Sequence, residues 1–259
     1  MINPKEQQIL AAHLLGLSRE DYLRLQPPNP AQLQQLCDRR EAGEPIAKII
    51  GRKAFWRDDF FTNQHTLDPR PESELIIETM LELYPNRNLP LKILDLGTGT
   101  GCLLLSLLRE YPNAKGVGID ISNEAITIAN RNANALKLQN HSVFHNLSWT
   151  ELDKSLYNVI ITNPPYIPTN DIDFLECDVR DYDPIKALDG GDDGLNAYRQ
   201  IFTLINNLLN HDSVIICEIG INQQDDVNQI ANDAGFINSH SKQDLAGIVR
   251  TLAFKKTDF

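Results

Sequence analysis

Four consecutive residues, Asn163-Pro164-Pro165-Tyr166, carry the most distinctive chemistry in the sequence. They follow an apolar run at 157–162 that predicts a buried β-strand. The Asn side chain has one acceptor oxygen and two donor hydrogens, and neither proline has an N–H. Because a residue before proline is held extended, the segment is a stiff group of acceptors beside an aromatic ring. Pro-Pro alone is typical of a simple turn, whereas the whole tetrapeptide suits binding a planar –NH2 of an amide or a base.

A second motif, Asp95-Leu96-Gly97-Thr98-Gly99-Thr100-Gly101, follows a predicted strand. Alternate glycines let the backbone turn tightly and approach a ligand. The spacing is G-x-G-x-G, not the G-x-G-x-x-G that binds a pyrophosphate. Asp120 ends the next predicted strand, 23 residues after Gly97. Its carboxylate can accept hydrogen bonds from two ribose hydroxyls, although Asp120 alone is also compatible with a strand-end turn.

The glycine loop and Asp120 fit both NAD and S-adenosylmethionine. The missing pyrophosphate spacing favours S-adenosylmethionine, and the acidic Asp95 suits its cationic sulfonium. Asn146 and Trp149 follow a third predicted strand, where an adenine would lie. Asn146 can accept from the adenine N6 amine and Trp149 can cover the ring, although a loop with a half-buried Trp explains each residue nearly as well.

From Pro71 onward, strands and helices alternate. The predicted strands are Lys92–Leu96, Gly116–Asp120, Ser142–His145, Val159–Thr162 and Val214–Glu218. The predicted helices between them include Gly101–Tyr111 and Asn123–Leu138. This alternation predicts an α/β fold, a mostly parallel sheet covered by helices on both faces. Phe236–His240 and Val249–Phe254 predict an antiparallel hairpin at its edge.

The first part of the chain has a different pattern. Apolar residues recur at helical spacing up to about Gly51, with Ser18 and Asn29 as predicted N-caps. The stretch Lys53 to Asp68 mixes aromatic and polar residues and predicts a β-hairpin. We therefore expect a helical N-terminal domain at 1–51, a hairpin linker at 52–69 and a catalytic domain at 70–259.

The composition limits the partners. Twenty-four Lys and Arg against 35 Asp and Glu give a net charge of −11, whereas a protein that binds nucleic acid through phosphates is expected to be basic. We expect no direct nucleic-acid binding. The start lacks a signal-like segment and no apolar run is long enough to span a membrane, so we expect a cytoplasmic protein without a membrane partner. The four cysteines and six histidines lack ligand spacing, so we expect no metal.

Taken together, the motifs resemble the class I S-adenosylmethionine-dependent methyltransferases, and more narrowly the HemK/PrmC-type release factor glutamine methyltransferases. The resemblance runs almost end to end. Besides the two motifs above, its elements are Gly43 to Ile46 with Gly51 and Phe55-Trp56, Pro69 to Glu74, Asp178 to Arg180, Ala187 to Gly191, Glu218 to Gly220 and Asp244 to Arg250. The linker and tail elements narrow the resemblance to this family.

The resemblance implies a Rossmann-like sheet and N5-methylation of the glutamine in the GGQ motif of bacterial peptide-chain release factors. S-adenosylmethionine would be the cofactor and S-adenosylhomocysteine the product. On this basis Asn163, Pro164 and Tyr166 are expected to be catalytic and Pro165 to bind substrate with them. Expected cofactor-binding residues are Gly97, Thr98, Gly99, Thr100, Gly101, Asp120, Asn146, Trp149 and Asn163. We expect a monomer.

Two departures from the family pattern matter. Asn146 stands where the family usually has an acidic residue, so we expect weaker cofactor binding. The N-terminal unit looks shorter than is usual. Three alternatives stay open: glutamine methylation of a ribosomal protein, amino-methylation of adenine or cytosine in nucleic acid, and a catalytically idle cofactor- or partner-binding module.

Overall fold

A computed structural model describes residues 2–23, 30–152, 155–205 and 208–257. Its N-terminal helices are α1 (Pro4–Leu14), α2 (Arg19–Tyr22), α3 (Pro30–Glu41) and α4 (Ile46–Ile50). The predicted N-cap Ser18 is confirmed, since its hydroxyl accepts from the N–H of Asp21 at 3.1 Å. The predicted cap Asn29 lies outside the described residues. Leu10, Cys37 and Ile49 form the small buried core of this unit.

The linker hairpin is shorter than predicted. Its strands are β1 (Arg52–Phe55) and β2 (Asp58–Phe61), which pair in antiparallel fashion. Strand pairing stops at Phe61 because the next polar side chains bond to each other. The Thr62 hydroxyl contacts Thr66 at 3.1 Å and donates to Asp68 at 2.6 Å. Residues 62–68 therefore form an internally bonded loop instead of a longer strand.

The large sheet confirms the predicted fold class. Its strands are β3 (Lys92–Leu96), β4 (Lys115–Asp120), β5 (Ser142–Asn146), β6 (Tyr157–Thr162), β7 (Leu209–Glu218), β8 (Phe236–Gln243) and β9 (Val249–Lys256). They lie in the order β5-β4-β3-β6-β7-β9-β8. Strands β3 to β7 pair in parallel, and β9 pairs antiparallel with β7 and β8. The edge hairpin is thus also confirmed.

Helices cover both faces of this sheet. They are α5 (Glu74–Leu83), α6 (Cys102–Glu110), α7 (Asn123–Ala135), α8 (Cys177–Arg180), α9 (Asn196–Ile205) and α10 (Gln224–Asp233). Successive strand side chains point to opposite faces. Val159 and Ile161 therefore join the core under α5, α6 and α7, while Ile160 joins the core under α9 and α10. Among the described helices, none combines the length and apolar character needed to cross a bilayer.

A buried ion cluster joins the N-terminal helices to the catalytic sheet. The ammonium of Lys48 on α4 lies 2.9 Å from Asp68 and 3.0 Å from Asp183, and the Lys48 side chain is only 4% exposed. It also donates to the carbonyls of Asn63 at 2.8 Å and Thr66 at 2.6 Å. One cation therefore holds together the 62–68 loop and the loop around Asp183. Both loops also border the main cavity described below.

Replacing Lys48 by methionine should lower the free energy of unfolding by about 3–5 kcal/mol, because two buried carboxylates lose their common partner. Urea unfolding followed by circular dichroism measures the change. Lys5→Met, which removes an exposed lysine of the same unit, is the matched control and should shift stability by under ~0.5 kcal/mol. Equal effects of the two substitutions would contradict the structural role of the cluster.

Candidate active site

The carboxyl ends of β3, β6 and β7 lie at one edge of the sheet. Leu96 pairs with Thr162, and Thr162 pairs with Cys217. The Thr162 hydroxyl donates to the carbonyl of Leu96 at 2.8 Å, which ties the two strand ends together. The chain after β3 runs to β4 on one side, while β6 lies on the other, so the strand order reverses here. A parallel sheet opens a crevice for ligands at such a point.

The glycine loop after β3 is held against the end of β4. Gly97 donates its N–H to the carbonyl of Ile119 at 3.0 Å. One carboxylate oxygen of Asp120 accepts from the N–H of Gly99 at 2.9 Å, and the other accepts from Ser122 at 2.9 Å. Gly97 and Gly99 have φ angles of +77° and +54°, and a Cβ on either would meet no atom within 4 Å. The loop therefore presents bare backbone to open space.

Gly101 has a different role from the two glycines before it. Its φ angle is +77°, and a Cβ there would lie 3.3 Å from Ala129, Leu105 and Phe144. A glycine is therefore favoured at this position, where the start of α6 packs closely against α7 and β5. It lies behind the loop and is not among the residues that line the cavity.

A cavity of about 800 Å³ lies over the glycine loop. The predicted site residues that line it are Gly97, Thr98, Gly99, Thr100, Asp120, Trp149, Asn163 and Pro165. A second cavity of about 230 Å³ adjoins it and is lined by Tyr166, Glu218 and Arg250 among others. Asn163 and Arg70 line both. Asn163 thus stands where the two spaces meet.

Hydrogen bonds orient the polar side chains of the Asn-Pro-Pro-Tyr segment. The Asn163 amide nitrogen donates to the Ser73 hydroxyl at 3.0 Å, and Ser73 donates to Glu218 Oε2 at 2.5 Å. The Tyr166 hydroxyl donates to Glu218 Oε1 at 3.1 Å. Within the described part of the chain, no hydrogen bond reaches Asn163 Oδ1 or the carbonyl oxygen of Pro164. Pro164 itself is buried and lines neither cavity.

The structure places Asn146 differently from Trp149. Trp149 lines the large cavity. Asn146 is exposed, does not line the cavity, and donates its side-chain amide to the carbonyl of Asp120 at 2.9 Å. Its contact ties the ends of β4 and β5 together. Asn146 is thus connected to the cavity by its hydrogen bond to Asp120, which lines it.

Two buried carboxyl groups have strongly perturbed acidity. Burial raises the pKa of Asp95 to about 7, against a hydrogen bond from Thr98 that lowers it. Asp95 Oδ1 has no hydrogen-bond partner in the described chain, although Oδ2 accepts from the Thr98 hydroxyl at 2.7 Å. Burial also raises the pKa of Glu218 to about 7, opposed by the hydrogen bonds from Ser73 and Tyr166. A cation bound near either carboxyl would stabilise its ionised form and lower its pKa.

Some residues of the site carried no predicted role. Ser73 and Glu218 belong to motifs noted in the sequence, but nothing local shows that they touch, since 145 residues separate them. Ile121 and Ser148 line the large cavity one and three residues after predicted strand ends. Their position next to Asp120 and Trp149 is the signal that identifies them.

Comparisons with known proteins match both parts of the chain to one family. The PrmC N-terminal domain model matches residues 3–51, and the methyltransferase small domain model matches residues 64–175. The release factor glutamine methyltransferase of Rhodospirillum rubrum is 40% identical over 257 residues, 97% of this chain and 78% of that protein. The protein of the same name from Caulobacter vibrioides is 39% identical over 88% of this chain and 78% of its own length.

Solved structures support the fold. The ribosomal protein L11 methylase from Lactobacillus delbrueckii subsp. bulgaricus superposes with a TM-score of 0.55 at 17% identity, covering 79% of this chain and 91% of that one. A likeness at this identity establishes the shared methyltransferase architecture.

The perturbed acidity of Asp95 predicts an inverse dependence of stability on pH. Native Asp95 keeps its proton up to about pH 7, while the unfolded residue releases it at its ordinary pKa of 3.8. Between these values the native state binds more protons, so stability falls as pH rises. Urea unfolding without cofactor should therefore show wild type losing stability relative to Asp95→Asn as pH increases from about 4 to about 7.

Asp193→Asn is the matched control for this pH series. Its hydrogen bond with Arg199 lowers the pKa of Asp193 to about 2, so its contribution is present above the ordinary pKa of 3.8 and is lost as pH falls. The difference between wild type and Asp193→Asn should stay flat from about pH 5 to 8. Parallel stability curves for wild type and Asp95→Asn would contradict the assignment.

Proposed function

The chain belongs to the release factor glutamine methyltransferases, and we propose that it methylates the N5 nitrogen of the glutamine in the GGQ motif of bacterial peptide-chain release factors. One observation carries the choice of acceptor. Asn163 Oδ1, on a residue that lines both cavities, and the carbonyl oxygen of the neighbouring Pro164 accept no hydrogen bond within the described chain. Two such acceptors match the two hydrogens of a primary amide.

The large cavity fits S-adenosylmethionine. Bare backbone at Gly97 and Gly99 leaves room for close approach of a ligand. Each Asp120 oxygen already accepts one backbone N–H and retains a further lone pair for a ribose hydroxyl. Trp149 lines the same cavity and offers an apolar face to an adenine. Asp95 is buried, and one of its oxygens has no hydrogen-bond partner in the described chain, so a cation bound nearby would favour its ionised form.

The cofactor, when bound, supplies an electrophilic methyl group on a sulfonium, and S-adenosylhomocysteine remains as product. The protein's task is to make a poor nucleophile react, since the lone pair of an amide nitrogen is delocalised into its carbonyl. Asn163 Oδ1 and the Pro164 carbonyl accept both amide hydrogens, which orients the nitrogen and stabilises the positive charge that develops there. The nitrogen takes the methyl group and then releases a proton to water. No general base is needed before transfer because the proton becomes acidic only afterwards.

Tyr166 and Pro165 complete the acceptor site. The Tyr166 ring lines the smaller cavity, with its hydroxyl fixed on Glu218, and packs along the flat face of the glutamine amide. Pro165 lines the larger cavity beside Asn163 and keeps the acceptor amide against the cofactor.

The N-terminal unit has a docking role in this proposal. The helices up to residue 51 and the hairpin linker at 52–69 form the docking surface for the release factor, and the domain from residue 70 carries out catalysis. The enzyme acts as a cytoplasmic monomer that binds neither membrane nor nucleic acid directly. The −11 charge supports the last point, since a nucleic-acid substrate would require a basic channel.

Mass spectrometry of a purified release factor, incubated with this protein and S-adenosylmethionine, tests the acceptor. We expect a gain of one methyl group that maps to the GGQ glutamine. A ribosomal protein and a DNA or RNA oligonucleotide, treated in parallel, cover the two alternative acceptors. Methylation of either one in place of the release factor would overturn the proposal.

Asn163→Ala should lower kcat by about 10²–10³-fold, because an oxygen that stabilises developing charge is lost. The dissociation constant for S-adenosylmethionine, measured by isothermal titration calorimetry, should change by less than ~3-fold. The KM for the release factor should also change little. If cofactor affinity and turnover fall together, the role assigned to Asn163 is wrong.

Asp120→Ala should show the reverse pattern. Loss of its hydrogen bonds to a ribose and to the loop amides should weaken S-adenosylmethionine binding by about 10–100-fold. Asn146→Ala removes only an exposed bond to the Asp120 carbonyl and should weaken binding by less than ~5-fold. Calorimetry measures the dissociation constant for S-adenosylmethionine of each variant. A larger loss of affinity in Asn146→Ala than expected would mean that Asn146 contacts the adenine directly.

A further inference from the structure

The Asn163 side chain is useful only in one of its two orientations. Turned one way, the carboxamide offers an oxygen to the acceptor amide; turned the other way, it offers two hydrogens that face the acceptor's own hydrogens. The two orientations have nearly the same shape, so packing alone does not choose between them. A hydrogen-bonding neighbour of fixed polarity is required.

Glu218 supplies that polarity at a distance. An ionised carboxylate only accepts hydrogen bonds. Ser73 has a single hydroxyl hydrogen and donates it to Glu218 Oε2, so towards Asn163 the Ser73 oxygen can only accept. Asn163 must then present Nδ2 to Ser73, as it does at 3.0 Å, and Oδ1 is left to face the acceptor. The same carboxylate fixes the Tyr166 hydroxyl through its other oxygen.

We propose that Glu218 is a positioning residue for methyl transfer: through Ser73 it holds the Asn163 carboxamide with its oxygen towards the acceptor amide. This inference rests on the proposed function, in which Asn163 Oδ1 receives an amide hydrogen. Glu218 need not contact the substrate, and Ser73 is the intermediate that transmits its effect. Loss of either residue leaves Asn163 in place but frees it to turn.

The protonation state of Glu218 then decides which group donates in each hydrogen bond from Glu218 through Ser73 to Asn163. A proton on Oε2 would be donated to Ser73, whose own hydrogen would turn to Asn163 and draw Oδ1 away from the acceptor. Burial is the largest influence on the acid and raises its pKa to about 7. The charged groups facing it are Glu72, which raises the pKa, and Arg250, which lowers it, while Ser73 and Tyr166 lower it through hydrogen bonds.

The test compares kcat at saturating cofactor and release factor across pH for four variants. Glu218→Gln and Ser73→Ala should each lower kcat by at least ~10-fold while cofactor affinity stays within ~3-fold of wild type. Ser73→Thr keeps the hydroxyl and should retain most activity. Ser106→Ala, which removes a buried hydroxyl without a hydrogen-bond partner in the described chain, is the matched control and should behave as wild type.

The pH profile separates positioning from simple stabilisation. Wild-type kcat should rise with pH, be half-maximal near the Glu218 pKa of about 7, and level off above it. That acidic limb should be absent in Glu218→Gln and Ser73→Ala and present in Ser73→Thr. Unchanged limbs in the first two variants, or full activity in them, would overturn the inference.

A readout without an acceptor keeps this inference separate from the proposed function. In 15N-labelled protein, the side-chain amide signal of Asn163, identified by its loss in Asn163→Asp, should shift with the ionisation of Glu218. Ser73→Ala should abolish that shift. If wild type fails to methylate a release factor but the signal titrates, the acceptor assignment is wrong and the relay stands; a signal that does not titrate overturns the relay.

Discussion

The parallel register of β3, β6 and β7 is the constraint on which the whole site depends. Because Leu96, Thr162 and Cys217 pair across the three strands, the residues that follow them emerge at one level of the sheet edge. The glycine loop, Asn163 and Glu218 therefore lie along the same edge of the sheet. A slip of one residue in any strand would turn its side chains to the opposite face and separate the three.

Buried charges then fix the loops that this edge leaves open. Glu218 and Asp183 both lie in the interior, where a carboxylate without partners destabilises the fold. Each therefore depends on all of its hydrogen-bond and ion-pair partners. Glu218 is completed by Ser73 and Tyr166, and Asp183 by Lys48 and Arg70. Since Lys48 belongs to the N-terminal helices, the two loops that border the large cavity are held in part by a residue outside the catalytic sheet.

Sequence reasoning succeeded where a local pattern determines structure. The predicted and observed bounds of Lys92–Leu96 agree, because a short apolar run that ends in a glycine loop is typical of a buried β-strand. The start of β7 differs from the prediction, since the residues that precede Val214 are polar and typical of a turn, whereas Leu209 pairs with Tyr157 and the register with β6 then shifts before Val214. Asn163 is recognisable from its neighbours in sequence, whereas the partners that orient it are distant. Ser73 lies 90 residues from Asn163, and Glu218 lies 145 residues from Ser73. Such contacts follow from the three-dimensional register and leave no local signal.

A neutron crystal structure with S-adenosylhomocysteine and a GGQ peptide would test the central claim most directly, because it shows the amide hydrogens themselves. The account predicts that the glutamine nitrogen lies between Asn163 Oδ1 and the Pro164 carbonyl and donates one hydrogen to each. The Asn163 amide should still donate to Ser73, and Ser73 to Glu218. A peptide nitrogen bonded elsewhere, or an Asn163 oxygen turned to Ser73, would contradict it.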